Sequence, residues 1–193
     1  MYRRILSTVI IASCVAFAQV KSSLHQVVEL PNGPVTRIIS PDKRWTMIFE
    51  CPNNCQERNL WIEDGLHARR LVGKYNRSLA VAWVPDSRRF FVNDDFGSNG
   101  SESYVIDPTT LQAVDISKII TKHEAQAKQL LSAGHSYLRA KRWVNDHTLI
   151  VVLVGHFDET PPRGFTPAFT FEYRVDLEGG TARILHHSKE EPQ

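Results

Sequence analysis

The feature that most constrains this chain is an internal repeat. Pro41-Asp42-Lys43-Arg44-Trp45 returns as Pro85-Asp86-Ser87-Arg88-Arg89-Phe90, 44 residues later. Leu60-Trp61-Ile62-Glu63 returns at the same interval of 44 as Tyr104-Val105-Ile106-Asp107. A third, degenerate copy begins at Trp143-Val144-Asn145-Asp146-His147-Thr148-Leu149 and continues with Phe171-Glu172-Tyr173-Arg174-Val175-Asp176. Between these landmarks run short β-prone segments bounded by turn signals such as Pro41-Asp42, Asp64-Gly65, Pro85-Asp86, Asp107-Pro108 and Gly179-Gly180. In each copy a turn led by Asp joins two strands, and its carboxylate is suited to accept backbone N–H bonds and fix the hairpin.

The expected strands are Leu24–Leu30, Val35–Ile39, Trp45–Glu50, Asn59–Glu63, Ala68–Val72, Leu79–Val84, Arg88–Asn93, Ser103–Ile106 and Leu111–Asp115. After a gap come Tyr137–Val144, Thr148–Val154, Ala168–Asp176 and Thr181–Leu185. A period in the forties built from four short strands is the mark of a β-propeller blade. Ser40–Trp45 followed by Asn59–Glu63, and Val84–Phe90 followed by Ser103–Asp107, resemble the repeats of TolB-type and related WD40-like β-propellers. The resemblance runs well over residues 35–115 and weakly over 137–186. It implies an all-β, partial or small propeller of about three four-stranded blades, with repeats at about 35–75, 79–115 and 137–186. Closed propellers use at least four blades, so an open or partial propeller, a β-sandwich and a unit completed by a partner are the alternatives. Such repeats define a fold and not an activity.

One segment breaks the β pattern. Ser117–Leu131 contains no Gly or Pro, and Ile119, Ile120, Ala127, Leu130 and Leu131 fall on one helical face. The spacing predicts one inserted helix over about 117–133, packed over a sheet edge, with Gly134 as its stop.

The N-terminus reads as an export signal over residues 1–18: Arg3 and Arg4, a short apolar run, then Ala16 and Ala18 before the cut. That run is too short for a comfortable membrane span, which takes about 20 residues. Ile11-Ala12-Ser13-Cys14 also resembles a bacterial lipobox, which would make Cys14 a lipidation site. The two processing readings imply a single periplasmic or secreted β-rich domain over 19–193, with lipid anchoring as the alternative to release. Two cysteines remain after cleavage, Cys51 and Cys55, around a Pro-Asn-Asn turn. Three intervening residues do not match the redox spacing of two, and a pair is too few for a metal centre, so a structural disulfide is expected.

Without Arg3 and Arg4 the chain holds 21 basic and 21 acidic residues, which argues against nucleic acid as a partner. No nucleotide loop, nucleophile elbow or complete calcium loop occurs, and the eight His are spread without ligand spacing, so neither a cofactor nor a metal is expected. His156, Asp158 and Glu159 open a long loop after the most apolar strand and are the weak catalytic alternative. The polar loop Asn93–Glu102 carries Asp94, Asp95 and Asn99 around Phe96, a large ring suited to anchor an interface. In Asp158–Pro167, three prolines stiffen a loop bearing Arg163 and Phe165 as further contacts. Trp45, Trp61, Trp83 and Trp143 recur at strand positions and read as inter-sheet core. The reading that follows is an exported, non-enzymatic interaction module that docks another envelope or secreted protein, in the manner of an inhibitor or immunity-like protein. An envelope hydrolase acting on cell-wall or carbohydrate substrates, and an assembly component of an envelope complex, are its rivals.

Overall fold

A computed structural model describes residues 26–188. The expected export signal, Cys14, and Leu24 and His25 of the first expected strand lie outside the described residues; within them the strand is β1 (Val28–Leu30). Twelve further strands follow: β2 (Val35–Ile39), β3 (Trp45–Glu50), β4 (Asn59–Asp64), β5 (Arg69–Lys74), β6 (Leu79–Trp83), β7 (Phe90–Asp94), β8 (Gly100–Ile106), β9 (Ala113–Asp115), β10 (His135–Trp143), β11 (Thr148–His156), β12 (Ala168–Asp176) and β13 (Thr181–Ser188). They form three antiparallel four-stranded meanders, β2-β3-β4-β5, β6-β7-β8-β9 and β10-β11-β12-β13, which are three propeller blades. β1 adds to the inner edge of the second blade beside β6.

The 44-residue period is written into the backbone. Lys43 and Ser87 both adopt left-handed φ near 64°, as do His67 and Leu111 near 62°, again 44 residues apart. These are the positions where a tight hairpin must reverse. The turn acids act as expected: Asp42 Oδ1 accepts from Arg44 N at 3.0 Å and Asp86 Oδ1 from Arg88 N at 2.9 Å. In the degenerate third copy Asn145 Oδ1 accepts from His147 N at 3.1 Å.

The second blade is the middle layer. Every residue of β6 is buried, because one face packs against the first blade and the other against the third. Met47, Phe49, Leu60 and Ile62 meet Leu79, Val81, Phe90 and Val92 on the first seam. Phe91 and Val105 meet Leu138, Leu149 and Val151 on the second. At each seam an indole closes the same bond. Trp83 Nε1 donates to Ile38 O, and Trp143 Nε1 donates to Ala82 O, each at 3.3 Å. Ile38 and Ala82 are 44 residues apart, so the acceptor is the same blade position. Trp45 and Trp61 are only half buried; the Arg70 guanidinium lies 5.7 Å over the Trp45 ring.

The expected single helix is two. After the short turn α1 (Pro52–Cys55), α2 spans Ile116–His123 and α3 spans Ala127–Leu131, with Glu124 extended between them. Asp115 caps α2 by accepting from Ser117 N, and His123 Nε2 contacts Gly180 O at 2.8 Å, pinning the C-terminal end to the β12–β13 turn. Ile116 and Ile120 lie against β8, β12 and β13, whereas Leu130 of α3 turns toward β10. A single straight helix cannot cover both directions, so the chain breaks between them.

Cys51 and Cys55 are joined in a disulfide, with Cα atoms 4.5 Å apart. On the outer face of the first blade, Glu63 is buried and accepts from Arg69 Nε at 2.8 Å, with His67 and Arg37 also close. These partners, Arg69 foremost, hold its carboxyl down to about 2 against the opposing effect of burial.

Two outcomes check this account. Trp143→Phe keeps most of the ring packing but leaves Ala82 O without its donor in the seam. It is expected to lower stability by about 1–2 kcal/mol in urea titration with an unchanged m-value; an unchanged midpoint would contradict the role given to the indole N–H. The mature protein isolated without reductant is expected to weigh two hydrogens less than its reduced form, and Cys51→Ser to lose about 2 kcal/mol while folding normally.

Candidate functional site

The three blades point the same way. Asp42 N donates to Ser87 Oγ at 3.0 Å, so the first turn of blade one abuts the first turn of blade two on one rim. The connections from second to third strand therefore collect on the opposite rim: residues 51–58, 95–99 and 157–167. Each is held by a different device. The first is stapled by the disulfide. In the second, the Phe96 ring lies across Gly100, where an added Cβ would fall 2.6 Å from the ring edge. The third is closed at its base by Phe157 N donating to Pro167 O at 2.9 Å.

Blades two and three are locked together beneath this rim by a buried polar seam. β8 and β10 pair in parallel only at Gly100–Ser136 and Ser101–Tyr137 before their twist separates them. Beyond that point Asn93, 1% exposed, takes over. Its Nδ2 donates to Ala140 O at 2.9 Å and its Oδ1 accepts from Ala140 N at 2.8 Å, so the side-chain amide pairs with Ala140 as a neighbouring strand would. Ser103 Oγ accepts from Ala140 N at 2.9 Å and has Asn93 Oδ1 and Leu138 O within reach of its single proton, while Ser101 Oγ donates to Leu138 O. Tyr137 OH donates to Ser98 O, tying the 95–99 loop to β10.

The residues expected to make contacts divide by environment. Phe96 is 46% exposed and projects from the rim. Asn99 is exposed, while its carbonyl accepts from Ser136 N at 3.0 Å. Asp95 is half buried: it accepts from Ser78 Oγ at 3.1 Å and lies 3.7 Å from Arg139, which also pairs with Glu29 at 3.1 Å. Asp94 is half buried with Oδ1 enclosed and unpartnered, and its pKa is raised by burial and by the nearby charges of Glu102 and Asp95. Arg163 is exposed, but Phe165 turns inward, its ring edge-on to Phe157 at 5.8 Å.

The weak catalytic trio gains a member the sequence reading missed. His156 Nε2 and His135 Nε2 each lie 3.5 Å from Asp158 Oδ1, and the two imidazoles stack with centroids 4.3 Å apart. Glu159 is exposed and lines, with Asp158, Gln129, Phe157 and Thr160, a cleft of about 440 Å³. His135 and His156 are 21 residues apart in the chain but face each other as register partners across β10 and β11. Their signal was symmetry: His135 and His156 stand equally far, ten residues, from the hairpin turn at Asn145-Asp146. Among the described residues this is the one trio of His, Cys, Asp and Glu whose ligand atoms converge within 4.8 Å.

Solved structures similar to this chain are β-propellers. The β-propeller domain of the trilobed protease from Pyrococcus furiosus aligns with TM-score 0.50 and 15% identity, over 79% of this chain and 43% of that one. An oligogalacturonate lyase solved in complex with manganese aligns with TM-score 0.50 and 13% identity, over 86% of this chain and 42% of that one. TolB from Acinetobacter baumannii aligns with TM-score 0.44 and 15% identity, over 83% and 32% respectively. The chain spans less than half the length of each. Its fold is that of a β-propeller, present here as three blades; at such identities the likeness carries no activity across. The sequence matches no protein-family model and no curated protein.

Asn93→Ala is expected to test the seam. The change leaves Ala140 O unpaired at the junction under the rim, with an expected loss of about 2 kcal/mol. Amide hydrogen exchange at Leu138–Ala140 should rise more than at β3–β4 of the first blade; equal protection at both sites would remove Asn93 from this role.

Proposed function

We propose that this chain is an exported protein-interaction module of the cell envelope that docks a partner protein through the 95–99 and 157–167 rim. The observation that carries the reading is Phe96, a half-exposed aromatic ring on a loop already fixed by Gly100, Tyr137 and the Asp95–Arg139–Glu29 pairs. A loop ordered before binding loses little entropy when it docks, and a central aromatic surrounded by polar groups is the anatomy of an interface anchor. Arg163 extends the same surface from the neighbouring loop, while Phe165 supports that loop from beneath. Export is supported by the Cys51–Cys55 disulfide, since such bonds persist in oxidising compartments. An inhibitor or immunity-like role is the narrower form of this reading.

One observation favours a second reading, an envelope hydrolase acting on cell-wall or carbohydrate substrates. His156 and Asp158 meet His135 beside an open cleft that Glu159 also lines.

Affinity capture from envelope extract separates the two. Phe96→Ala is expected to weaken binding of the captured partner about thirtyfold, which is about 2 kcal/mol, because an anchor is lost without disturbing the core. Capture of every partner at wild-type affinity by the variant would overturn the docking reading. A hydrolytic activity present in wild type and absent in His156→Ala would establish the enzyme instead.

A further inference from the structure

We propose that His135, His156 and Asp158 form a binding site for a divalent transition-metal ion of the zinc class. The site is independent of whether the rim docks a protein, and it does not require that the chain be an enzyme.

Distance decides first. The two Nε2–Oδ1 separations are both 3.5 Å. That is beyond a sound N–H···O hydrogen bond, which lies at about 2.7–3.2 Å. It is close to the edge of a coordination tetrahedron: Zn–N and Zn–O bonds of about 2.0–2.1 Å place adjacent ligand atoms about 3.3–3.4 Å apart. The three ligand atoms all lie within 4.8 Å of one another, and the two nitrogen–oxygen separations are those of neighbouring ligands on one ion.

The backbone holds them there. His135 and His156 are cross-strand partners, so the hairpin fixes both Cβ positions. Each follows a glycine whose missing side chain is used. At Gly155 an added Cβ would fall 2.1 Å from His135 O, so the two strands approach closely where the imidazoles emerge. At Gly134 it would fall 1.7 Å from Asp158 Oδ2, so this glycine makes the room in which the carboxylate sits beside both rings.

Donor type then selects the ion. Two imidazole nitrogens and one carboxylate oxygen suit zinc and its first-row neighbours, whereas calcium and magnesium take oxygen shells. His156 and Asp158 are exposed and His135 is partly so, which gives the ion a path in. Three protein ligands leave a fourth position for water or for a molecule entering the adjoining cleft. Coordination also requires a movement. The rings are stacked within 13° of parallel, so an ion can lie in both ring planes only after the rings tilt apart.

The test is calorimetric titration of the untagged mature chain with zinc chloride, with magnesium and calcium chlorides as comparison. One zinc per chain is expected, with no heat from the other two ions. His135→Ala, His156→Ala and Asp158→Asn should each weaken zinc binding by at least about 100-fold, and Gly134→Ala by about tenfold through the displaced carboxylate. Far-UV spectra and metal-free melting show that each variant is folded; the exposed His156 is the change least able to disturb the core. Changing His186 and His187 together to Ala removes the other clustered imidazoles, and binding should stay within about twofold of wild type. In wild-type NMR spectra, the ring protons of His135 and His156 should shift on zinc addition as the stack opens. No zinc binding by the wild-type chain, unchanged binding in folded His156→Ala, or loss of binding with His186 and His187 would each overturn the site.

Discussion

Everything in this structure depends on how one blade grips the next, and the grip is the indole of a tryptophan at the end of the first strand of the second blade and of the third. The hydrophobic contact across the seams is extensive but non-directional, and apolar sheets alone slide. The Trp N–H removes that freedom. Trp83 reaches Ile38 O and Trp143 reaches Ala82 O, the same bond formed twice at equivalent positions. A large ring fills the seam, and its single polar atom sets the register. Position 39, the counterpart of Trp83 one repeat earlier, is Ile, and it lies in the first blade, which no other blade precedes among the described residues. The first two strands of the second blade are buried on both faces, so Leu79–Trp83 and the Phe90–Val92 stretch read as continuous apolar runs rather than alternating ones.

Where the blades diverge, a second kind of bond replaces the first. Asn93 imitates a strand toward Ala140, and Ser101 and Ser103 complete the imitation toward Leu138. A buried polar network of this kind is useful only when its members are satisfied, and here each has a partner. Its consequence is positional. It fixes the start of β10 against the 95–99 loop, which sets His135 and Phe96 on the same rigid rim although 39 residues separate them.

Most of the fold was legible because it is periodic. Short alternating runs, Asp-led turns and the interval of 44 located the strands and blades, and those signals are local. What was not legible is what depends on pairing or on competition between surfaces. Ser117–Leu131 has an uninterrupted helical face, yet the chain breaks at Glu124 because Ile116 and Ile120 are drawn to β13 while Leu130 is drawn to β10. Phe165 reads as a projecting contact in a polar loop, but Phe157 offers it an apolar neighbour and it turns inward. His135 was passed over because nothing in its own vicinity marks it. Its partner lies 21 residues away, and only the hairpin register joins them.

The two rims differ in a way that bears on function. One rim carries the repeated turns, in which Asp42, Asp86 and Asn145 each cap their own backbone in the same way. The other rim carries segments that do not repeat at all, with a disulfide in the first blade, Phe96 in the second, and a proline-stiffened loop beside two histidines in the third. A scaffold needs only that its loops close, and uniform turns accomplish that, as the first rim demonstrates. Each departure on the second rim adds a specific constraint, whether a staple, an anchored ring or a glycine emptied to admit a carboxylate, and none of these is required by the packing of the blades. Residues set by the repeat therefore account for the fold, and residues that depart from it are the ones on which the proposed docking surface and metal site are built.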